Sequence, residues 1–393
     1  MLFQICFILL IPFFFIMLLL KLSQVFQWHW LEKLLSKLDN LLVWRRPTKQ
    51  SLFLFEGCLV LLILIFALSV SINLKPASWW EEGCIACIAD STDWQTVASV
   101  LENTFEREIH TPQSEKAFSL KHVSINNFKR YSKYRYLIII SSSLSNEKSA
   151  KVFKNKLLSN PKIRKSIEEE NNDMFILRDH WSRKQLAIFI LTEDTQTMVE
   201  EIRIKKETLY ELFKNAYYDH LQQDMFLSLH EKRTAEKLME SYGWTLKKHP
   251  GLLVDQELPD DGFMSFHSWS PKQWMFVRWI DRADKSLLDP DWITKERNRI
   301  GASYFDGMCI SEYYLNSHRS TFQGHPAQVT TGLWELNHPT KGGPFKNYTV
   351  FDSTSQRLYI IDFAVFNPGE PKLPLLNRLD AIAHTFSTRH WSH

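Results

Sequence analysis

Two uninterrupted apolar runs open the chain, and they limit what the first 74 residues can fold into. Residues 2–20 (LFQICFILLIPFFFIMLLL) carry no charge over 19 positions, and residues 57–74 (GCLVLLILIFALSVSINL) carry none either. At about 1.5 Å per residue each run approaches the ~30 Å hydrocarbon core of a bilayer, so both read as membrane-spanning helices. Pro12 is tolerable in such a helix, where neighbouring groups can satisfy the freed carbonyl. A signal peptide would need a basic start, a shorter apolar core and a small-residue cleavage site, and none is present. Glu56, just before the second run, reads as a residue of the lipid–water boundary.

Charge sets the orientation. Six of the 47 basic residues (Lys21, Lys33, Lys37, Arg45, Arg46, Lys49) and three of the 44 acidic ones (Glu32, Asp39, Glu56) fall in 1–73. All six cations lie between the two runs, so that loop is expected on the cytoplasmic side and both chain ends outside. Trp28, Trp30 and Trp44 are expected at the inner interface, Trp79 and Trp80 at the outer one. Within the loop, Trp28, Leu31, Leu34, Leu35, Leu38, Leu41 and Leu42 recur at three- and four-residue spacing, which predicts an amphipathic helix over about 24–46 lying on the membrane face. Residues 1–74 are thus read as an anchor, with the lipid bilayer as a partner.

The remainder carries 41 basic and 41 acidic residues, a neutrality that excludes a nucleic-acid binder built on a strongly basic domain. Its patterning predicts an α+β fold in two halves, 75–243 and 244–393. In the first, strands are expected at Cys84–Ala89, Ala117–Ser124, Tyr136–Ser142, Met174–Leu177 and Leu186–Leu191. Helices are expected over Trp94–Glu108 (capped by Asp93), 148–170 and much of Met198–Tyr242, with Gly243 as a stop. In the second, strands are expected at 244–255, 263–268, 273–280, 311–317, 328–337, 346–352 and 357–366, and helices at 290–304 and 372–387. Short turns between consecutive strands favour mainly antiparallel sheets covered by helices on one side.

Several local patterns occur together in the C-terminal half. PheValArgTrpIle (276–280) precedes GlyLeuTrpGlu (332–335), GlyGlyProPhe (342–345), TyrThrValPheAsp (348–352), ArgLeuTyrIleIleAspPheAlaValPheAsnPro (357–368) and ArgLeuAspAlaIle (378–382). Together with IACIADSTDWQTVASVLENTF (85–105), this order resembles the domain of unknown function family 4837, found mainly in envelope lipoproteins of Bacteroidota, over roughly 80–390. The resemblance implies a domain on the outer face of the inner membrane or in the periplasm, and it brings no catalytic residues with it. Family members are commonly held by a lipidated cysteine. Here Cys84, shortly after TrpTrpGluGlu, lies in no lipidation box, and the two helices replace the lipid. The chain end also looks loosely like envelope domains of the PsbP and Mog1 type, which share a late hairpin and a closing amphipathic helix.

Catalytic motifs are absent. Ser303, Ser311 and Ser320 lack a nucleophile elbow, and no glycine loop cradles phosphate. Cys84 and Cys87 sit three apart in an apparent strand, where they point to opposite faces and bridge poorly, and Cys309 is the other candidate for pairing. His318, His325 and His338, with Glu335 and Asp352, lack metal-site spacing. Asp255, Glu257, Asp260 and Asp261 surround a turn without the distal glutamate of a calcium loop, and GlyGly at 342–343 reads as a tight strand entry. No metal or cofactor is expected. The richest aromatic group is Trp274, Trp279 and Trp334. A binding groove is expected from Trp274, Arg278, Trp334, Glu335 and Asp352, with Glu335 or Asp352 neutralising Arg278. The function that fits is a non-catalytic binding or assembly module facing the periplasm, with a possible envelope protein as partner. An envelope hydrolase and a lipid or small-ligand carrier are the alternatives.

Overall fold

The computed structural model describes residues 75–142, 174–192, 194–226, 229–336 and 341–391. The expected spanning helices, the amphipathic helix, Trp28, Trp30, Trp44 and the expected helix at 148–170 lie outside the described residues. No helix among the described residues is long and apolar enough to cross a membrane. Pro76–His393 forms one compact unit built on two sheets.

The first sheet has five strands: β1 (Cys84–Ala89), β2 (Ser119–Ser124), β3 (Tyr136–Ser142), β4 (Met174–Arg178) and β5 (Leu186–Thr192), in the order β2-β1-β3-β5-β4. It departs from the antiparallel expectation. β1 pairs in parallel with β2 and β3, β3 pairs in parallel with β5, and only β4 runs antiparallel. The reason lies in the strands themselves. Every residue of β1 and β3 is buried, so both faces need cover, and a strand covered on both faces suits parallel pairing linked by helices.

Helix α1 (Ser91–Phe105) links β1 to β2. Its N-cap is Asp90, whose carboxylate accepts from the Asp93 backbone N–H at 2.8 Å, rather than Asp93 itself. Asp93 is buried in the first turn and accepts from the Ser142 N–H (2.9 Å) and hydroxyl (2.8 Å), so it fastens the end of β3 to the helix. Helix α2 (Thr195–Met225) is capped by Asp194 and buries Met198, Ile202, Leu209, Phe213, Ala216, Tyr217 and His220, a stripe at helical spacing. These two helices and one face of the sheet form an apolar core. The opposite face is closed by an aromatic cover that includes Tyr131, Tyr134 and Trp181. Helix α3 (Leu229–Tyr242) follows and ends at Gly243 (φ 75°), the left-handed stop expected there.

The second sheet has seven strands: β6 (Leu253–Leu258), β7 (Phe263–Trp269), β8 (Lys272–Ile280), β9 (Cys309–Phe322), β10 (His325–Leu336), β11 (Lys341–Asp352) and β12 (Arg357–Phe366). Its order is β9-β10-β11-β12-β8-β7-β6, antiparallel throughout, as the short turns predict. Both faces are covered, not one. Helix α4 (Pro290–Tyr304) packs Ile300 against Phe263, Phe276 and Ile360 on one face. Helix α5 (Leu373–Ala383) packs Leu375, Leu379 and Ile382 on the other. The strand expected at 244–255 is a two-residue pairing of Trp244–Thr245 with Ser387–Thr388, followed by a bend into β6. Gly343, at the start of β11, has no room for a Cβ, which would fall 2.1 Å from the Val365 carbonyl oxygen and against the Trp334 indole. Ala381 of α5 joins the core of the first sheet, so the closing helix sits at the seam between the two.

Candidate functional site

The expected aromatic groove is only partly assembled. Trp274 and Trp334 meet edge to face with ring centroids 4.9 Å apart, both almost wholly buried, and they line one cavity of about 210 Å³. The Trp334 indole N–H donates to the Val365 carbonyl at 3.2 Å. Trp279 points to the other face of β8, into the main core. Arg278 is neutralised by Glu296 of α4, at 3.3 Å, and not by Glu335 or Asp352. Helix α4 lies over that face of β8, whereas Asp352 is committed to its own turn, accepting from the Thr354 N–H and the Ser355 hydroxyl. Glu335 lies in register with Cys309 and Gly342, strands away from Arg278.

Trp79 and Trp80 are engaged by the unit's own residues rather than projecting from it. Trp79 packs on Tyr134 (4.6 Å) and Tyr131 (5.3 Å), and the Arg135 guanidinium sits 4.6 Å over the Trp80 ring. Cys84 and Cys87 are free and feed opposite cores, as strand geometry requires, and Cys309 is free too. Burial pushes the Cys87 thiol far up, with Cys84 adding to it, so Cys87 is inert. His325 stacks on Trp391 at 4.2 Å, and His338 lies outside the described residues. Among the described residues no three His, Cys, Asp or Glu side chains converge as metal ligands. Of the acidic turn, Asp255 lies 3.3 Å from His267, and Asp261 accepts from the Tyr304 hydroxyl.

The most concentrated buried polar chemistry lies at the seam. Asp380 of α5 is 3% exposed. Its carboxylate accepts from Lys346 Nζ (2.7 Å) and the Tyr348 hydroxyl (2.7 Å) of β11, and from the Tyr218 hydroxyl (2.9 Å) of α2. His384 Nδ1 lies 3.3 Å from the same carboxylate and 2.9 Å from the Asp380 carbonyl. One carboxylate therefore joins the helix of the first sheet, a strand of the second and the closing helix. Burial alone would raise its pKa, but the Lys346 ammonium and His384 outweigh burial and hold it far below the usual carboxylate range. Burial, then the Asp380 charge, drives the Tyr218 and Tyr348 hydroxyls well above theirs, so both stay protonated donors.

Two adjoining cavities open on this cluster and share Lys214, Tyr218, Thr331, Lys346 and Asp380. One, of about 310 Å³, is walled by Tyr210, Tyr217 and Tyr314; the other, of about 600 Å³, by His318, Gln323 and His384. Tyr314 packs against His110 with centroids 4.7 Å apart. The cleft offers aromatic faces, amide and hydroxyl groups and a fixed ionic floor. With three hydrogen bonds to two oxygens and His384 beside it, Asp380 is committed to accepting, not to shuttling protons.

The sequence carries one signal for this cluster, outside any catalytic or metal-binding motif. Asp380 falls among Leu376, Leu379 and Ala383, a charge on the apolar face of an amphipathic helix, which demands partners. Tyr218 and Lys346 could not be found that way, because they reach Asp380 from elements far away in the chain.

An α+β unit of two sheets with a furnished cleft at their seam defines the class. Residues 231–385 match the family model of the domain of unknown function DUF4837. Residues 82–226 match a second one, the domain of unknown function DUF8532, so the family first recognised covers the C-terminal half and not the whole of 80–390. No curated protein matches the sequence. Among solved structures, the Ran-binding protein Mog1p of Saccharomyces cerevisiae aligns at 14% identity over 37% of this chain and 90% of its own, with a TM-score of 0.27. A protein from Bacteroides thetaiotaomicron VPI-5482 aligns at 7% identity over 37% of this chain and 45% of its own, with a TM-score of 0.24. The human StarD13 (DLC2) lipid transfer and protein localization domain aligns at 9% identity over 41% of this chain and 98% of its own, with a TM-score of 0.17.

Proposed function

We propose that the protein is a membrane-anchored cell-envelope protein whose Pro76–His393 unit is a non-catalytic binding or assembly module facing the periplasm, and that the seam cleft is where it binds. One observation carries the binding role: the buried carboxylate that joins the two cavities, Asp380, is saturated by Lys346, Tyr218 and Tyr348. A general acid or base needs a proton site free to exchange with substrate. The floor of this cleft is instead locked, while its walls present the tyrosine faces and polar groups that recognise a ligand. The anchor reading is supported by the two charge-free runs, and its orientation, with the loop inside and the large unit outside, by the six cations between them.

Crosslinking tagged full-length protein in its native cells tests this reading. A specific envelope protein should copurify, and it should be lost both on removal of 74–393 and in the cleft variant Tyr314→Ala. Recovery of the same protein with the cleft variant would move the binding surface elsewhere. Hydrolysis of a lipid or cell-wall component by the purified protein would replace the non-catalytic reading.

A further inference from the structure

The described surface exposes few large apolar side chains, and three of them gather at one end of the second sheet. Trp269, at the end of β7, is 70% exposed, and Leu253 and Val254 open the edge strand β6 beside it, Leu253 in register with His267. Trp269 stands opposite Lys272 in the last pair of the ladder before the tight turn between β7 and β8, its ring edge to face with His267 at 4.7 Å. The Lys272 ammonium stands 5.6 Å from the Trp269 ring centre. An indole and an ammonium side by side at a protruding turn, next to aliphatic side chains, suit the interfacial layer of a bilayer, where rings settle among headgroups and lysine meets anionic phosphates.

The chain itself supplies the second argument. Trp80 lines a cavity of about 420 Å³ together with Ser268, Ser270 and Pro271 of this same turn. The second apolar run ends at position 74. The intervening residues can extend at most about 20 Å, so a run that ends in a membrane holds the turn within that tether plus the width of one cavity. The exposed apolar pair Tyr313 and Leu315 lies on the opposite edge strand, β9.

We infer that the β7–β8 turn, with Trp269, Lys272, Leu253 and Val254, is a membrane-surface contact that docks the unit on an anionic bilayer. The inference rests on the anchor reading above. It gives the seam cleft a fixed orientation toward the membrane, so the module would meet its ligand at a set height above the lipid.

The test uses full-length protein in nanodiscs of phosphatidylethanolamine and phosphatidylglycerol containing a nitroxide-labelled lipid. An environment-sensitive fluorescent amino acid is placed at position 269, at 253, or at the control position 204, where Ile204 is 74% exposed on α2. Quenching by the nitroxide lipid is expected to be at least about twofold stronger at 269 and 253 than at 204. Equal, weak quenching at all three positions in nanodisc-held protein overturns the inference and leaves the anchor intact. Shielding of 269 from a water-soluble quencher without any lipid effect reassigns the patch to a protein contact. Failure of the full chain to enter nanodiscs at all overturns the anchor reading, and this inference with it. Far-UV circular dichroism of each variant confirms that the fold is retained.

Discussion

In the five-stranded sheet the strand centres are purely apolar: Ile85, Ile88, Ile138, Ile139, Ile188 and Phe189 are buried with no charged partner among them. The seven-stranded sheet buries charge. On β12, Asp362 holds Arg297 of α4 at 2.9 Å and accepts from Asn347, which in turn accepts from Thr349. At the seam, Asp380 adds a second buried ionic cluster. Apolar strands packed between layers need only shape and volume. Buried ions need every partner in place, and they fail sharply when one is removed. The difference teaches where to look for function: the first sheet keeps its buried polar groups, such as Asp93 on Ser142 and Arg135, at the strand ends, whereas the second sheet and the seam bury ionic clusters against the strands themselves.

The sharpest way to break this contrast is to delete a buried acid. Asp380→Ala strands Lys346 and Tyr348 without their acceptor and leaves Tyr218 only Asn377, and Asp362→Ala strands Arg297. Each is expected to cost about 3–5 kcal/mol in denaturant unfolding. Ile139→Val in the apolar sheet should cost only about 1 kcal/mol. Equal effects would erase the distinction.

Next comes crowding. Gly343→Ala forces a Cβ against the Val365 carbonyl and the Trp334 indole, for an expected loss of about 1–3 kcal/mol and a changed near-UV tryptophan spectrum.

Two histidines then separate the regions by pH. His220 of α2 is hydrogen-bonded to the Tyr136 hydroxyl, and burial, aided by Arg135, pulls its pKa down to about 4. The unfolded chain therefore binds the extra proton first, and His220 costs stability as pH falls from about 6.5 toward 4. His384 has the opposite sign. Burial disfavours its protonation, but the Asp380 carboxylate outweighs burial and raises its pKa. Its stabilisation is full below about 6.5 and is lost as pH rises through the raised value. His220→Gln should flatten the acid limb of the stability curve and His384→Gln the neutral limb, both read from denaturation midpoints between pH 4 and 8.

The smallest expected effect is a null one. Cys84 and Cys87 face opposite cores, so peptide mapping of the folded protein under mild oxidation should find no 84–87 disulfide, and reductant should leave the melting temperature unchanged.

Much of the second half was legible because antiparallel strands are written locally. The helix at 290–304 and the strand at 357–366 match their expected limits, since a Pro start and turn-forming residues mark them. The first sheet was legible in its elements, with β1 and β3 as expected, but not in its pairing. Parallel neighbours such as Cys84 and Ser119 are joined across a helix, and nothing local announces them. The unbroken apolar run of β3 was itself the clue to a doubly covered strand. The candidate site was half legible. Trp274 and Trp334 do meet at one cavity. The Asp380 cluster depends on contacts 32, 34 and 162 residues apart, which only the fold brings together.

The claim that the seam cleft is a binding site is tested most directly by photocrosslinking in intact cells. A photoreactive amino acid at position 314, in the cleft wall, is compared with one at position 204, on the outer face of α2. The account predicts a discrete crosslinked product at 314 and none of the same mass at 204. The same product from both positions, or none from 314 at normal expression, would contradict it.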